Sequence, residues 1–336
     1  MRVQRLGERG LVRRIRQILR SDAPGVRVGI GDDAAVLEPT PGAWLLVTTD
    51  LVMEDVHFRR HSAGPADIGW KAMAVNLSDI AAMGGTPRFA LVALACPEKT
   101  EVEEVDLFYE GLKAAAAPHG VAVVGGDTGA SPGGWIANVT LLGEMMGRPH
   151  LRSDARPGDS IAVVGDLGRS AAGLAVLEAE PRPDLPPDVL AEVARAHLRP
   201  VARVSEGKWL GTATGVHALI DLSDGLATDL GHIAAESGVG ARVELARVPI
   251  AACTKAVATA LRLNPLELAV SGGEDYELLF TADPAAIEAL SAGLHSATGA
   301  TVTVIGEITT GSAQVEFLDA GGRAVEMGPG FEHFHG

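Results

Sequence analysis

Six short aspartate motifs punctuate the hydrophobic segments of this chain, and each is marked by glycine, serine or threonine. They are GIGDDAAV (Gly29–Val36), TTD (Thr48–Asp50), NLSDIAAMGG (Asn76–Gly85), GGDT (Gly125–Thr128), IDLSDG (Ile220–Gly225) and SGGEDYEL (Ser271–Leu278). A fold that gathers them would place six carboxylates in one acidic pocket: Asp32, Asp50, Asp79, Asp127, Asp221 and Asp224. Because two carboxylates about 4 Å apart repel by roughly 4 kcal/mol at an effective dielectric near 20, such a pocket needs cations. Hard oxygen ligands favour magnesium, which usually accompanies a polyphosphate.

Turn and capping chemistry offers a plainer explanation for each motif taken alone. GIGDDAAV fits a glycine turn with a solvated pair of acids, TTD an Asx turn or helix cap, and NLSD an exposed helical aspartate. Ser223 and Asp224 could cap the helix that contains Asp229. Six such motifs in one chain are poorly explained by turns alone, so we interpret them together as cation and phosphate ligands.

Length and composition predict a two-domain globular protein. A chain of 336 residues exceeds one typical core. The segment 147–158, rich in arginine, proline and glycine, predicts a division into domains 1–147 and 148–336. A net charge of −15 argues against nucleic acid as the main partner. Cys96 and Cys253 are expected to be buried thiols in a reducing cytoplasm. No run of about 18 apolar residues occurs, so no membrane span is expected.

Hydrophobic periodicity predicts alternating strands and helices in both halves. Trp44–Thr48 is expected as a strand ending before Asp50, Pro65–Met83 as a helix, and Val121–Val124 as a strand that breaks before Asp127. Ser160–Val164 and His217–Asp221 are expected as strands of the second half. At the N-terminus, a spacing of four between Leu11, Ile15 and Leu19 predicts a basic amphipathic helix. The fold class is therefore mixed, α+β or α/β, with a strand order that the pattern leaves open.

Several familiar catalytic signatures are missing from the sequence. No G-x-x-x-x-G-K-[ST] loop, protein-kinase motif set, G-x-S-x-G elbow or H-E-x-x-H pair occurs. Phosphate handling by this chain must therefore depend mainly on metal ions and glycine-rich loops.

Seven segments together resemble the thiamine-monophosphate kinase family. They are GIGDDAAV, TTDLVMEDVHF, KAMAVNLSDIAAMGGTPRFAL, FYEGL, GGDT, IDLSDGLATDLGHI and SGGEDYELLFT, spread over nearly the whole chain. The family belongs to the superfamily of aminoimidazole ribonucleotide synthetase and selenophosphate synthetase. The resemblance implies that superfamily's two-domain fold and an ATP- and Mg²⁺-dependent phosphorylation of thiamine monophosphate to thiamine diphosphate. It also implies a cytoplasmic homodimer, paired through the sheets of N-terminal domains that bind metal and ATP. The C-terminal domain would complete the ATP and substrate sites.

The resemblance also assigns roles to individual residues. The implied magnesium ligands are Asp32, Thr48, Thr49, Asp50, Asp79, Asp127, Asp221 and Asp224. The implied ATP contacts are Tyr109, Gly126, Asp127, Arg152 and Ser223. The implied substrate contacts are His57, Glu274 and Phe331, the last at a position that often carries a larger aromatic side chain. No residue is assigned as a covalent catalyst, because the implied mechanism is direct in-line transfer assisted by metal.

Other members of the superfamily are the nearest alternatives. Selenophosphate synthetase requires a reactive cysteine or selenocysteine early in the chain, whereas the first cysteine here is Cys96 in an apolar segment. The hydrogenase-maturation relative requires a C-terminal cysteine, whereas this chain ends in HFHG. Aminoimidazole ribonucleotide synthetase fits DVHF and GGEDYEL less closely. A non-catalytic ATP- and metal-binding module, or a structural dimer with vestigial acids, belongs to a different class of function.

Overall fold

The structure is a computed structural model that describes residues 2–19, 23–30, 34–328 and 330–331. The chain forms two compact units, one of residues 1–80 and 85–147 and the other of residues 81–84 and 148–336. Both units mix helices with β-sheet, as the sequence predicts. Among the described residues, no helix has the length and hydropathy needed to cross a membrane. The assignment of separate functions to the two domains stays a prediction.

The first unit is built on a four-stranded sheet. Its helices are α1 (Val3–Leu6), α2 (Glu8–Ile18), α3 (Pro65–Ala82) and α4 (Val102–Ala116), and its strands are β1 (Val26–Val28), β2 (Val36–Leu37), β3 (Trp44–Met53), β4 (Thr86–Cys96), β5 (Ala122–Ala130) and β6 (Ile136–Met145). The strand order is β3-β6-β4-β5, antiparallel except for the parallel pair β4–β5. Strands β1 and β2 form a separate antiparallel pair. The predicted apolar stripe of Leu11, Ile15 and Leu19 is buried, with Leu19 at the C-cap of helix α2.

Helices α3 and α4 approach each other closely because glycine stands at two contact points. A Cβ atom on Gly69 would lie 1.9 Å from the backbone oxygen of Phe108, and one on Gly111 would lie 1.9 Å from that of Ala66. Helix α3 is buried along most of its length, which suits its apolar composition. Its residue Ile80 packs against Gly143 of strand β6. The pair of helices therefore covers one face of the sheet.

The opposite face of this sheet exposes apolar side chains. Successive side chains of a strand alternate between the two faces, and every second residue of β3 from Leu45 to Leu51 is exposed. The exposed apolar residues of this face are Leu45, Val47, Leu51, Leu91 and Ile136, which we call the open sheet face. A surface patch of this kind usually marks an interaction site.

The second unit is built on a seven-stranded sheet. Its helices are α5 (Arg169–Glu178), α6 (Pro187–Leu198), α7 (Val204–Leu210), α8 (Leu226–Ser237), α9 (Ala252–Leu261), α10 (Pro265–Val270) and α11 (Ile287–Thr298), and its strands are β7 (Ser160–Val164), β8 (Val216–Asp221), β9 (Gly240–Glu244), β10 (Leu278–Ala282), β11 (Val302–Thr309), β12 (Val315–Leu318) and β13 (Ala324–Val325). The order is β13-β12-β9-β11-β7-β10-β8, antiparallel except for β9–β12. The main core packs sheet residues such as Val163 and Ile220 against Leu230 and Ile233 of α8.

Two strands are longer than predicted, and each extends across a candidate ligand motif, TTD or GGDT. Strand β3 continues to Met53, so Asp50 lies inside it rather than beyond its end. Strand β5 continues to Ala130, so Asp127 also lies within a strand. In both cases backbone pairing with the neighbouring strand extends across polar and glycine residues that a local pattern assigns to turns.

Candidate functional site

The first unit brings Thr48 and Asp79 into direct contact. The Thr48 hydroxyl donates a hydrogen bond to a carboxylate oxygen of Asp79. Thr48 and Asp50 lie on the same face of β3, because they are two residues apart, and this is the face covered by α3. Asp79 is partly buried in the last turns of α3, where the helix dipole disfavours an anion. The plain alternative of an exposed helical aspartate is therefore wrong for Asp79.

The side chain of Thr49 points to the other face of the sheet. Its hydroxyl lies 3.0 Å from the hydroxyl of Thr140 and 3.3 Å from the backbone oxygen of Val139 on β6. Asn138 of the same strand donates to the backbone oxygen of Asp50 at 3.0 Å. Since Thr49 and Thr48 diverge, a shared cation could draw on the Thr49 backbone oxygen but not on both hydroxyl groups. The role of Thr49 as a ligand stays a prediction.

Asp127 lies on β5, next to a glycine that the strand pairing requires. A Cβ atom on Gly126 would lie 1.9 Å from the backbone oxygen of Val92, and Gly126 has a φ of +153°. Asp127 itself is exposed and accepts the amide of Thr128 at 2.9 Å. The close packing against Val92 therefore explains why glycine is required at position 126, whether or not this residue contacts ATP.

Tyr109 of α4 is buried in the core of the first unit. Only 1% of its surface is exposed, and its ring packs edge-on against Phe108 at a centroid distance of 5.2 Å. Burial raises the pKa of its hydroxyl, and Cys96 and the carboxylate of Asp127 raise it further. Tyr109 thus remains a neutral phenol close to Asp127, with little surface for a nucleotide in this conformation.

His57 lies in a turn that is hydrogen-bonded to helix α3. Its Nδ1 accepts the amide of Met53 at 3.1 Å, so a neutral ring carries its proton on Nε2. The ammonium group of Lys71 donates to the backbone oxygen of His57 at 3.2 Å, and Lys71 is only 3% exposed. The sequence pattern did not single out Lys71, although a lysine inside an otherwise apolar helix is the available signal.

The IDLSDG motif of the second unit joins strand β8 to helix α8. Asp221 ends the strand and is buried, and Asp224 lies in the turn. Gly225 occupies the N-cap position of α8, so the capping alternative for Ser223 and Asp224 is wrong. The carboxylate of Asp229, inside the helix, instead accepts the amides of Asp224 and Gly225 that precede it, at 3.1 Å each.

Sequence reasoning missed Asp229 and His232 as members of this acidic cluster. Ligand atoms of Asp224, Asp229 and His232 all lie within 4.8 Å of one another. Burial raises the pKa of Asp229 to about 8, with further contributions from the charges of Asp221 and Asp224. The available signal was the spacing of three between Asp229 and His232, which places both on one face of a helix.

The SGGEDYEL segment is tied to IDLSDG through its backbone. The amide of Glu274 donates to the backbone oxygen of Ser223 at 2.7 Å, and the amide of Tyr276 donates to that of Leu222 at 2.9 Å. Glu274 and Tyr276 have φ values of +63° and +52°, in the left-handed region. The carboxylate of Glu274 lies 3.2 Å from Nδ1 of His197, another residue that the sequence pattern did not indicate.

The two other acids of SGGEDYEL hold the fold together. Asp275 accepts the amides of Gly168 and Ser170 at 2.6 and 3.1 Å. Glu277 forms a two-point ion pair with Arg203, with N···O distances of 2.5 and 2.6 Å. Burial raises the pKa of both carboxyl groups. Of the three acids in this segment, Glu274 is therefore the candidate for contact with a ligand.

The C-terminal segment places Phe331 beside the IDLSDG turn. Its amide donates to the backbone oxygen of Asp224 at 3.0 Å, and its side chain is 47% exposed. The second unit therefore brings together Asp221, Ser223, Asp224, Glu274 and Phe331.

Arg152 lies apart from this group. It is in the short 3₁₀ helix Arg152–Asp154, and its backbone oxygen accepts the hydroxyl of Ser237 at 2.7 Å. Ser237 ends helix α8, whereas Asp224 precedes it, and a helix of this length spans about 18 Å. Asp32, the remaining predicted ligand, lies outside the described residues.

Comparisons with known proteins place both halves of the chain in one family. Residues 31–145 match the family model "AIR synthase related protein, N-terminal domain", and residues 156–318 match "AIR synthase related protein, C-terminal domain". The chain is similar to the thiamine-monophosphate kinase of Bacillus subtilis, with 42% identity over 76% of this chain and 78% of that protein. It shares 37% identity with that of Salmonella typhimurium over 98% of each chain. A solved structure of AaThiL complexed with AMPPCP and TMP matches with a TM-score of 0.76 and 36% identity, over 99% of each chain.

Proposed function

The chain belongs to the thiamine-monophosphate kinase family of AIR synthase related proteins, and on that premise we propose that it transfers the γ-phosphate of ATP to thiamine monophosphate. The product is thiamine diphosphate, which makes this the last step of its biosynthesis. The observation that carries the proposal is the match, over 99% of each chain, to a structure that holds an ATP analogue and TMP. The alternative is an ATP- and magnesium-binding member of the superfamily with another specificity or without turnover.

The acidic residues of both units fit hard divalent cations such as Mg²⁺. Within the second unit, Asp229 shares a small volume with Asp224 and His232, and its pKa is raised by burial and by neighbouring carboxylates. A bound cation would offset that repulsion. The residues proposed to hold Mg²⁺ are Asp32, Thr48, Thr49, Asp50, Asp79, Asp127, Asp221 and Asp224. When bound, the ions neutralise charge on the donor and acceptor phosphates.

The chain's own groups would bind and orient the two substrates rather than react covalently. The acceptor oxygen belongs to a phosphate that is ionised at neutral pH, so a strong general base is unnecessary. We propose direct in-line transfer without a phosphorylated enzyme. His57, Glu274 and Phe331 are proposed to contact thiamine monophosphate. Tyr109, Gly126, Asp127, Arg152 and Ser223 are proposed to contact ATP. The side chain of Tyr109 is buried, so a contact through its ring requires a local rearrangement.

We also propose that the protein is a cytoplasmic homodimer paired through the open sheet face. Val47 and Leu51 are 62% and 43% exposed there, an unusual position for large apolar side chains. A second copy of the same sheet is the proposed cover, because a two-fold pair presents the same patch on both subunits. The two buried thiols, Cys96 and Cys253, support a reducing compartment. Sedimentation of the wild type and of Val47→Asp tests the dimer, and a monomeric wild type would contradict it.

One assay tests the proposed activity directly. Purified protein is incubated with ATP, Mg²⁺ and thiamine monophosphate, and thiamine diphosphate and ADP are measured. We expect equal amounts of both products, with no ADP release when thiamine monophosphate or Mg²⁺ is omitted. ADP release that does not depend on thiamine monophosphate would favour the alternative specificity. Inversion of configuration at a chiral γ-phosphorus is expected for a single in-line step, and retention would contradict it.

A further inference from the structure

Three hydrogen bonds join the C-terminal segment to the turn that carries Asp224, to the first turn of helix α8, and to Ser271 just before Glu274. The hydroxyl of Ser271 donates to the backbone oxygen of Gly328 at 2.7 Å. The amide of Gly330 donates to the hydroxyl of Thr228 at 3.0 Å, and the amide of Phe331 donates to the backbone oxygen of Asp224 at 3.0 Å. We call Gly328, Gly330 and Phe331 the C-terminal strap. One anchor is the side chain of Ser271 at the end of helix α10, one is the side chain of Thr228 in the first turn of helix α8, and the third is the backbone of a proposed metal ligand, Asp224.

Gly330 is the one strap position where the close approach excludes a side chain. A Cβ atom there would lie 2.0 Å from the backbone oxygen of Asp224 and 2.6 Å from the hydroxyl of Thr228. A real Cβ cannot take up a separation of 2.0 Å from a backbone oxygen, and that oxygen belongs to a turn held by Asp229. An alanine at position 330 must therefore lift the strap away from the turn.

We infer that Ser271, Thr228 and Gly330 are positioning residues that hold Phe331 for the organic part of the acceptor, an inference that rests on the proposed function. Phe331 presents a half-exposed aromatic face, which suits stacking against a flat heteroaromatic ring. Its amide is hydrogen-bonded to the backbone oxygen of Asp224, which is proposed to bind the phosphates through a metal ion. The strap therefore sets the distance between the site for the ring and the site for the phosphate. Acceptors that carry both groups at the matching separation are selected.

Substitutions that remove single anchors test this inference. Gly330→Ala is expected to raise KM for thiamine monophosphate about tenfold or more, because small misplacements of a positioning group are costly. Thr228→Val and Ser271→Ala each remove one hydrogen bond and are expected to raise that KM about threefold. KM for ATP should stay within about twofold of the wild type in all three. Thr228→Ser keeps the hydroxyl and should restore the wild-type value.

Hydrogen exchange supplies a readout that is independent of turnover. The amides of Gly330 and Phe331 are expected to be protected in the wild type and to exchange faster in Gly330→Ala and Thr228→Val. Gly231→Ala is the matched control, since it adds a methyl group to the same helix as Thr228 where nothing lies within 4 Å. That variant should match the wild type in exchange and in KM.

The outcomes separate the strap from the proposed activity. Unchanged exchange at Gly330 and Phe331 in the anchor variants would overturn the strap. Faster exchange with an unchanged KM for thiamine monophosphate would overturn its positioning role. The double variant Gly330→Ala/Phe331→Ala should be no worse than Phe331→Ala alone, and additive losses would show that Gly330 acts other than through Phe331. If the wild type makes no thiamine diphosphate, the proposed function fails while the exchange measurements still decide whether the anchors exist.

Discussion

The carboxylate of Asp275 sits at the start of helix α5, where it accepts the amides of Gly168 and Ser170. Desolvation by burial is the largest influence on this group and raises its pKa to about 7, against the opposing effect of the two amides. The folded protein therefore binds a proton at Asp275 over a pH range in which the unfolded chain has released it. A residue within a candidate substrate-binding motif thus makes the stability of the fold depend on pH.

The stability of the second unit is expected to fall as pH rises from about 4 to 7. Because the pKa of Asp275 is raised above its ordinary value of 3.8, its stabilising contribution is complete below that value and is lost as pH rises through about 7. A shift of this size corresponds to on the order of 4 kcal/mol. Denaturant unfolding of the wild type and of Asp275→Asn at several pH values measures the slope. Asparagine cannot ionise there, so parallel slopes for the two proteins would refute the assignment.

Asp79 is the acid whose loss should cost most activity. Asp79 accepts a hydrogen bond from the hydroxyl of Thr48 and lies near the C-terminal end of a helix, where the helix dipole disfavours its charge. We therefore expect Asp79 to bind cations. Asp79→Asn should lower kcat at least about a hundredfold with the melting temperature nearly unchanged. Thr48→Val removes the hydrogen bond but no charge, so its kcat should fall less than that of Asp79→Asn. Near-normal turnover of Asp79→Asn at saturating Mg²⁺ would contradict the metal role, and a melted protein would indicate a structural one.

His57 should serve the acceptor and not the nucleotide. Its Nδ1 accepts the amide of Met53, so a neutral ring carries its proton on Nε2 and can donate to a phosphate oxygen. His57→Ala should raise KM for thiamine monophosphate about tenfold, the cost of one charge-assisted hydrogen bond, with little change in KM for ATP. Steady-state kinetics with each substrate varied in turn measures both constants. Equal increases in the two would count against this assignment.

At the scale of elements, the packing of α3 on α4 depends on two glycines that touch the backbone of the opposite helix. Helix α3 was predicted to within one residue, because Pro65 starts it and its apolar residues persist along its length. Strands β3 and β5 were predicted too short, because their threonine, aspartate and glycine residues resemble turns when read locally. Pairing with β6 and β4 overrides that local preference, and no local pattern contains it.

The same limit explains which site residues could be found from the sequence. Asp79 and Asp224 stand in motifs that identify them. His197, Lys71 and Asp229 are candidates only because of contacts or burial in the fold, which a motif does not reveal.

Substituting one contact glycine should destabilise the first unit without touching its acids. Gly111→Ala places a methyl group where only 1.9 Å separates it from the Ala66 oxygen, so α4 must move away from α3. We expect a loss of about 1–3 kcal/mol in the free energy of unfolding. Gly231→Ala, in an open part of helix α8, should instead be neutral or stabilising by about 0.5–1 kcal/mol. Denaturant melts of both variants measure this, and equal effects would contradict the close packing.

At the scale of the whole molecule, the proposed ligands divide between the two units, with Asp79 in one and Asp224 in the other. ATP with Mg²⁺ should raise thermal stability, by about 2.7 kcal/mol at a hundredfold excess over Kd. Mg²⁺ alone should do less, and ATP with a chelator should do little. Thermal melts under the three conditions test this. A full shift with chelated ATP would mean that the nucleotide binds without the acidic residues.

The position of β7 in the larger sheet has a kinetic consequence. This strand begins the second unit, yet it pairs with β10 and β11 near the other end of the chain. Asp159, just before β7, accepts a hydrogen bond from the hydroxyl of Thr281, which lies 122 residues away in the sequence. Such non-local pairing is formed slowly, because a long loop must close first. Until then, the apolar segment Ile161–Val164 keeps two unpaired backbone edges, which are templates for pairing with another chain. During refolding from denaturant, closure of this long loop therefore competes with association between two chains. Dilution slows association but not loop closure, so it favours the native fold.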